Sequence, residues 1–344
     1  MIVDLFAGPR GWSEGLRLLA LTDIGLEWDT AACRTAHAAG HPTIQTDVAA
    51  YPTAPFAGRA KGLIASPPCQ AWSRAGKRGG LADQPLVHQA VHDLAHGRDT
   101  RAALLSQCRD KRSLLAAEPM RWLYDLRPEW MCLEEVPDVL PLFQQIAAVL
   151  RSWGYSVWVG VLNAADYGVP QTRRRAILIA SGVRPVTAPT PTHSEHGAAG
   201  LFGDDLPRWI TMAEALGWGY TDRPAPTVTG GGTETGGSEP FGNATRRAMR
   251  AAMANRKHWA WRKPAPTVSG TVGHVGGKQT EGHLNLSPEE GARLQTFRQG
   301  YPFHGNKGQV SRQIGNAVPS RFAAHIVSAA TGIPVRQAET ASAA

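Results

Sequence analysis

The chain has 344 residues, 42% hydrophobic and 19% charged, so it can bury a substantial core and does not have the make-up of a disordered protein. A formal charge of +8 and an isoelectric point near 9.6 favour a polyanionic partner. Cys33, Cys69, Cys108 and Cys132 form no CxxC pair and no apolar run could span a bilayer, so a cytosolic protein with no metal and no membrane segment is expected.

In chain order, Ile2 to Phe6 predicts a buried strand that stops at Ala7-Gly8-Pro9-Arg10-Gly11, and Trp12 to Leu19 then takes up helical spacing. Such a glycine turn lets a ligand approach the backbone and a helix amino terminus. A second strand, Asp23 to Glu27, ends in an acid nineteen positions after Gly8, the spacing at which α/β proteins place a carboxylate on a ribose hydroxyl. The glycine pattern is not GxGxxG, which disfavours a nicotinamide oxidoreductase. Thr43 to Thr46 is a third strand, ending in Asp47.

Lys61 to Ala65 is the fourth, and it runs into Ser66-Pro67-Pro68-Cys69-Gln70, around which the chain is organised. Two prolines end the strand in a stiff turn and hold the Cys69 thiol at its carboxyl end, where open α/β sheets bind ligands. Cys69 is therefore a candidate nucleophile, set against the alternative of a small core residue. From Arg74 to Arg112 come eight Arg or Lys and four Asp or Glu without steady periodicity, read as a mobile basic loop closing over a substrate, with Arg74 at its start a candidate contact to a polyanion. A helix opens at Arg112.

Pro128 to Leu133 predicts a strand that ends at Glu134-Glu135-Val136-Pro137. If it neighbours the fourth strand in a parallel sheet, Glu134 and Cys69 emerge on one edge and share a cleft. Tyr155 to Leu162 and Arg175 to Ala180 are further strands. Three arginines, Arg173 to Arg175, precede Ala176-Ile177-Leu178-Ile179, so at least one guanidinium is expected to enter the cleft with a partner.

After Ala180 the composition turns to Gly, Pro and Thr. Residues 182 to 285 hold an internal echo, Arg223 to Gly230 against Lys263 to Gly270, read as paired strand and loop units of a small second domain. Within it Asn243 to Pro264 carries Arg246, Arg247, Arg250 and four more basic residues with no acid, and Trp259 and Trp261 interleave, which suits a phosphate backbone. Leu286 to Gln295 starts a helix with a serine cap, and another helix follows Pro319 to about Ala330. Residues 335 to 344 read as a frayed tail.

Together, Asp4-Leu5-Phe6-Ala7-Gly8, Pro67-Pro68-Cys69-Gln70, Glu134-Glu135-Val136-Pro137, Gln171-Thr172-Arg173-Arg174-Arg175 and Arg312-Gln313-Ile314-Gly315-Asn316-Ala317-Val318-Pro319 resemble the ordered motifs of the DNA (cytosine-5) methyltransferases. The resemblance implies an α/β fold: a Rossmann-like S-adenosylmethionine domain made of residues 1–181 and 286–334, with a target-recognition domain inserted at 182–285. It implies that Phe6, Ala7 and Gly8 line the methionine end of the cofactor, that Glu27 holds its ribose, that Trp28 packs on the adenine and Asp47 meets its amino group, and that Pro68 and Asn316 complete the pocket. Cys69 would be the nucleophile, Glu134 the acid on the base, and Arg173 and Arg175 the groups that order the site and touch the cytosine carbonyl. Double-stranded DNA is the implied substrate, with a cognate restriction endonuclease as a further partner, and the enzyme is expected to act as a monomer.

Three departures from the family stand out. Arg10 replaces the usual glycine and is expected to weaken cofactor affinity. Glu135 replaces asparagine and adds a carboxylate whose repulsion would raise the pKa of Glu134. The loop after Cys69 is longer than usual.

The chemistry suits the residues. Carbon 5 of cytosine is too electron-poor to take a methyl group directly, so a thiolate must first add at carbon 6, while an acid at ring nitrogen 3 stabilises the developing charge. Carbon 6 is inaccessible in a stacked duplex, so the base must be flipped out. RNA cytosine methylation and a catalytically silent DNA-binding protein are the alternatives. A second domain of this size favours duplex DNA, and intact Cys69, Glu134, Arg173 and Arg175 disfavour silence.

Overall fold

The computed structural model describes residues 1–68, 79–197, 206–217, 264–266, 274–275 and 284–336. Cys69, Arg74, Arg246, Arg247, Arg250 and the segment 243–263 lie outside the described residues.

Short apolar runs that end at glycine, proline or acid become strands: β1 (Ile2–Leu5), β2 (Ile24–Glu27), β3 (Thr43–Gln45), β4 (Gly62–Ala65), β5 (Trp130–Glu135) and β6 (Ser156–Asn163). A two-residue strand β7 (Gln171–Thr172) precedes β8 (Arg174–Ser181). Seven of them form one sheet in the order β3-β2-β1-β4-β5-β8-β6. The first five run parallel, and β8 is antiparallel to both β5 and β6. Leu5 pairs with Leu26 and Ala65, and Ala65 with Leu133, so β1, β2, β4 and β5 end level. The chain turns to opposite sides of β1 on its way to β2 and β4, and such a switch point opens a crevice at the carboxyl edge.

Strand periodicity of two sends alternate residues to two covered faces. Leu63, Ala65, Met131, Leu133, Leu178 and Ala180 pack on one side with helices α3 (Gly79–Ala95), α5 (Glu118–Leu126) and α6 (Leu140–Ser152). Ile64, Trp130, Cys132, Ile177 and Ile179 pack on the other with α1 (Gly11–Arg17) and, from the far end of the chain, the helix Ser320–Thr331. The two helices of that second layer touch closely. A Cβ on Gly15 would lie 2.6 Å from the Ser320 carbonyl oxygen and 2.7 Å from the Ala323 Cβ, so glycine is required there. Among the described residues the remaining helices are α2 (Thr30–Ala38), the short α4 (Arg101–Leu105), α7 (Met212–Leu216), α8 (Pro288–Leu294) and α9 (Lys307–Asn316), and Ser320–Thr331 is α10.

The structure corrects three expectations. The basic stretch after Cys69 is not a loop from residue 79 onward: α3 buries Val87, Ala90, Val91 and Leu94, a helical i, i+3, i+4, i+7 stripe, and α4 and a 3₁₀ segment Lys111–Ala117 follow it. The tail begins later than expected, because Val335 packs against the α10 face and the Arg336 N–H donates to the Leu18 carbonyl at 3.0 Å. The composition break at 182 is not an edge of packing either. Val186 belongs to the α1/α10 core, and Met212 and Leu216 of α7 pack with Leu286, Leu294 and Ile314. Helix α8 starts as its sequence predicts, with a reciprocal cap between Ser287 and Glu290.

Candidate active site

The β1–α1 turn is built from left-handed residues, with φ of 59° at Phe6, 53° at Gly8 and 73° at Arg10. Such angles cost a non-glycine residue about 1 kcal/mol or more, so other contacts must hold them. The Gly8 N–H donates to Glu27 Oε2 at 2.8 Å, the Ala7 N–H to the Leu26 carbonyl at 3.1 Å, and the Tyr301 hydroxyl to the Pro9 carbonyl at 2.6 Å.

Arg10 is a further tie, and unlike Pro9 and Gly11 it is not part of the wall of the pocket at this edge. Its side chain is wholly buried beneath the turn, with Nη2 2.8 Å from Asp23 Oδ2 and Nη1 3.6 Å from Asp4 Oδ2. Neither approach has the alignment of a hydrogen bond, so the attraction is coulombic. Two carboxylates around one guanidinium leave an excess charge. Burial raises the Asp4 carboxyl well above the usual carboxylate range, against the opposing pull of Arg10. The guanidinium lies where a Cβ on Gly25 would be, 1.4 Å from Nη1, so Arg10 depends on that glycine.

Glu27, at the end of β2, is 7% exposed. Its Oε1 accepts the N–H groups of Trp28 at 2.9 Å and Asp29 at 2.7 Å, while Oε2 accepts that of Gly8. Three of about four acceptor sites on the carboxylate are thus filled by backbone. Burial raises its pKa, and the three N–H groups pull it back down.

These elements open onto a pocket of about 290 Å³ at the carboxyl edge of β1, β2, β4 and β5. Its wall brings together Phe6, Ala7, Gly8, Glu27, Trp28, Pro68, Glu134, Arg173, Arg175 and Asn316. The indole of Trp28 is 76% exposed, a flat apolar face against open space. A second cavity of about 580 Å³ shares Phe6, Glu27, Trp28 and Pro68 with the first. Asp47 lines this second cavity, alongside Leu105 and Leu114 from the segment after α3.

At the other end of the pocket, β8 enters the sheet antiparallel, so its first residues reach the edge where β5 stops. Arg175 Nε stands 2.9 Å from Glu134 Oε1, an ion pair not aligned as a hydrogen bond. Arg173 is 2% exposed, with its backbone N–H on Asn163 Oδ1 at 3.1 Å and Nη1 on the Gly315 carbonyl at 3.0 Å. It thereby ties β8 to α9. Glu135 is buried, and burial more than the charge of Glu134 holds its carboxyl well above the usual range.

Sequence reasoning left several wall residues without a role. Gln309, Arg312 and Gln313 stand with the expected Asn316 at helical spacing on the pocket face of α9, a polar i, i+3, i+4, i+7 stripe that could have been found. Gln313 is a strut, accepting from the Thr35 hydroxyl at 2.7 Å and donating to the His304 carbonyl at 2.7 Å. Gln295 is another, buried between Gln171 and the carbonyls that end α9. Trp12 Nε1 donates to Ser66 Oγ at 2.9 Å and holds the turn that leads to residue 69. Among the described residues no group of His, Cys, Asp and Glu could hold a metal ion, and no helix is long and apolar enough to cross a membrane.

This fold recurs in solved structures. The S. pombe Dnmt2 methyltransferase matches with a TM-score of 0.61 at 13% identity, over 96% of this chain and 98% of its own. The Entamoeba histolytica methyltransferase EhMeth matches with a TM-score of 0.56 at 12% identity, over 96% and 97%. The sheet order and the pocket at its carboxyl edge define a Rossmann-like α/β fold.

Sequence comparison places it further. The Type II methyltransferase M.NlaX of Neisseria lactamica is 30% identical over 92% of this chain and 91% of its own, and M1.HphI of Haemophilus parahaemolyticus 26% identical over 95% and 85%. The chain matches the family of C-5 cytosine-specific DNA methylases over residues 1–89, 102–199 and 207–331, and it belongs to that family. It is a DNA cytosine-5 methyltransferase.

Proposed function

We propose that the protein transfers a methyl group from S-adenosylmethionine to carbon 5 of a cytosine flipped out of duplex DNA, through a covalent adduct with Cys69. The observation that carries this reading is the meeting of Glu134, Arg173 and Arg175 with Phe6, Glu27, Trp28 and Pro68 in one pocket wall.

The residues fit S-adenosylmethionine. The exposed indole of Trp28 offers a face for a purine, Glu27 keeps one acceptor site for a ribose hydroxyl, and Asp47 offers an acceptor in the adjoining cavity. Phe6, Ala7, Gly8, Pro68 and Asn316 would enclose the rest. The bound cofactor supplies an electrophilic methyl group on a sulfonium.

The chain's own groups do the remaining work. The Cys69 thiolate adds to carbon 6 of the ring, which makes carbon 5 nucleophilic, and leaves when a base has removed the carbon 5 proton. Glu134 stabilises the charge developing at ring nitrogen 3, and Arg175 holds Glu134 in place and offers donors to the cytosine carbonyl. Arg173 locks β8 to α9 and so fixes both groups. The other three cysteines are poor candidates. Burial pushes Cys33 up to about 11, raises Cys108, and raises Cys132 far beyond the range of a useful thiolate.

Residues 182–285 would read the DNA sequence, with Arg246, Arg247 and Arg250 on phosphates and Arg74 beside the flipped base. The Type II names of the relatives support a role alongside a restriction endonuclease of matching specificity.

A duplex carrying 5-fluorocytosine at the target tests the reading, because elimination would have to expel fluorine as a cation. With S-adenosylmethionine it should yield a denaturation-resistant adduct that carries one methyl group and maps to Cys69, and Cys69→Ser should yield none while still binding DNA. An adduct on Cys33, Cys108 or Cys132, or no adduct from an enzyme that methylates DNA, would overturn it.

A further inference from the structure

Two neighbouring carboxyl groups close β5 at the pocket, and the reaction as described uses only the first. Glu135 is 2% exposed and lines the same wall as Glu134. Its Oε2 accepts the Val136 N–H in a tight contact. Its Oε1 is buried with no hydrogen-bond partner among the described residues. The charged groups that face it are Glu134 on its own strand and Arg173 and Arg175 at the start of β8. Arg175 Nε lies 2.9 Å from Glu134 and Arg173 Nη1 donates to the Gly315 carbonyl, and among the described residues no ion pair is made by Glu135. A bare carboxylate buried with one free oxygen and no ion pair costs more than a protonated one.

We infer that Glu135 is held as a neutral carboxylic acid, with its proton on Oε1, and that it positions Glu134 by leaving Arg175 with one carboxylate to hold instead of two. The inference rests on the proposed methyl-transfer reaction for its catalytic part. A neutral carboxyl group, like the amide of the asparagine usual at this place in the family, carries no charge. The glutamate therefore keeps this place uncharged while adding a group that can ionise. Burial, first, and the Glu134 charge push the Glu135 carboxyl upward; the Val136 N–H, Arg175 and Arg173 oppose them without reversing the direction. Once Glu135 ionises, two adjacent carboxylates compete for Arg175 and the geometry at Glu134 loosens.

Stability against pH reads the protonation directly, without cofactor or DNA. In the unfolded chain Glu135 ionises near its ordinary value of about 4.3. The native state keeps the proton to higher pH, so it binds more protons between the two values and loses stability as pH rises through that window. Glu135→Gln removes this loss: its Tm should exceed that of the wild type at pH 8, and the gap should close toward pH 4. The catalytic part is read by turnover. The ratio of wild-type kcat to that of Glu135→Gln should stay level through neutral pH, then fall by about tenfold per unit once Glu135 ionises. A Tm gap independent of pH would overturn the neutral state. A kcat ratio flat through the alkaline range would overturn the positioning role. A wild type that transfers no methyl group to DNA would instead refute the reaction assignment, and the Tm comparison would still decide the state of Glu135.

Discussion

Gly25 and Arg10 should prove inseparable. A Cβ at position 25 would lie 1.4 Å from Arg10 Nη1, 2.5 Å from its Cζ and 2.8 Å from the Ala7 Cβ. Ordinary contact needs about 3.5 Å, so Gly25→Ala must push the guanidinium by about 2 Å. That displacement breaks the 2.8 Å contact with Asp23 and leaves buried charge without its partner. Removing one side of a buried ion pair costs about 3–5 kcal/mol, and Gly25→Ala should be destabilised by that amount. In an Arg10→Gly background the same methyl group enters vacated space and meets only Ala7, at a cost of about 1 kcal/mol or less. Urea unfolding of the four proteins of this cycle should therefore give a coupling of about 2–4 kcal/mol. Equal costs for Gly25→Ala in the two backgrounds would refute the reasoning, because the guanidinium would then not occupy that space.

Glu27→Ala should raise the KM for S-adenosylmethionine with little loss of kcat at saturation, because ribose contacts act on ground-state binding. It should also lower stability by about 1–3 kcal/mol, since the N–H groups of Gly8, Trp28 and Asp29 lose their acceptor, and thermal unfolding would show this; an unchanged KM removes Glu27 from the cofactor site. Neutralising Arg246, Arg247 and Arg250 together should weaken binding to all DNA sequences alike and flatten its salt dependence, as measured by fluorescence anisotropy at several ionic strengths. Unchanged binding and an unchanged salt slope would reduce that stretch to a solvated face.

What could be read in advance followed from local physics. The strands up to β5 are apolar runs closed by glycine, proline or acid, and such punctuation is visible residue by residue. The parallel pairing of β4 with β5 was conditional in the sequence and is met by the register of Ala65 with Leu133. Helix α3 escaped notice because Pro85 and the polar residues His88 and His92 interrupt the eye, although Val87, Ala90, Val91 and Leu94 keep helical spacing. The burial of Arg10 was hidden for a different reason. Its partners Asp23 and its steric complement Gly25 come from the next strand, and nothing in the turn itself says that the side chain points down instead of into the pocket. The place of β8 between β5 and β6 was equally hidden, since its pairing with β5 reaches across more than forty residues of chain.

That antiparallel strand has a consequence for how such enzymes can diversify. Glu134 and Arg175 meet because Glu134 pairs with Ile177 and Glu135 with Ala176 in the hydrogen-bond ladder, not because a loop brings them together. The distance between the two groups is written into sheet register, and a register shift would have to unzip β8 from both of its neighbours. The separation of the two groups therefore depends on the sheet and not on a loop. Exchanging the proposed target-reading segment for one of different length should then act like changing a tool head on a fixed spindle, with the same Glu134–Arg175 pair behind it.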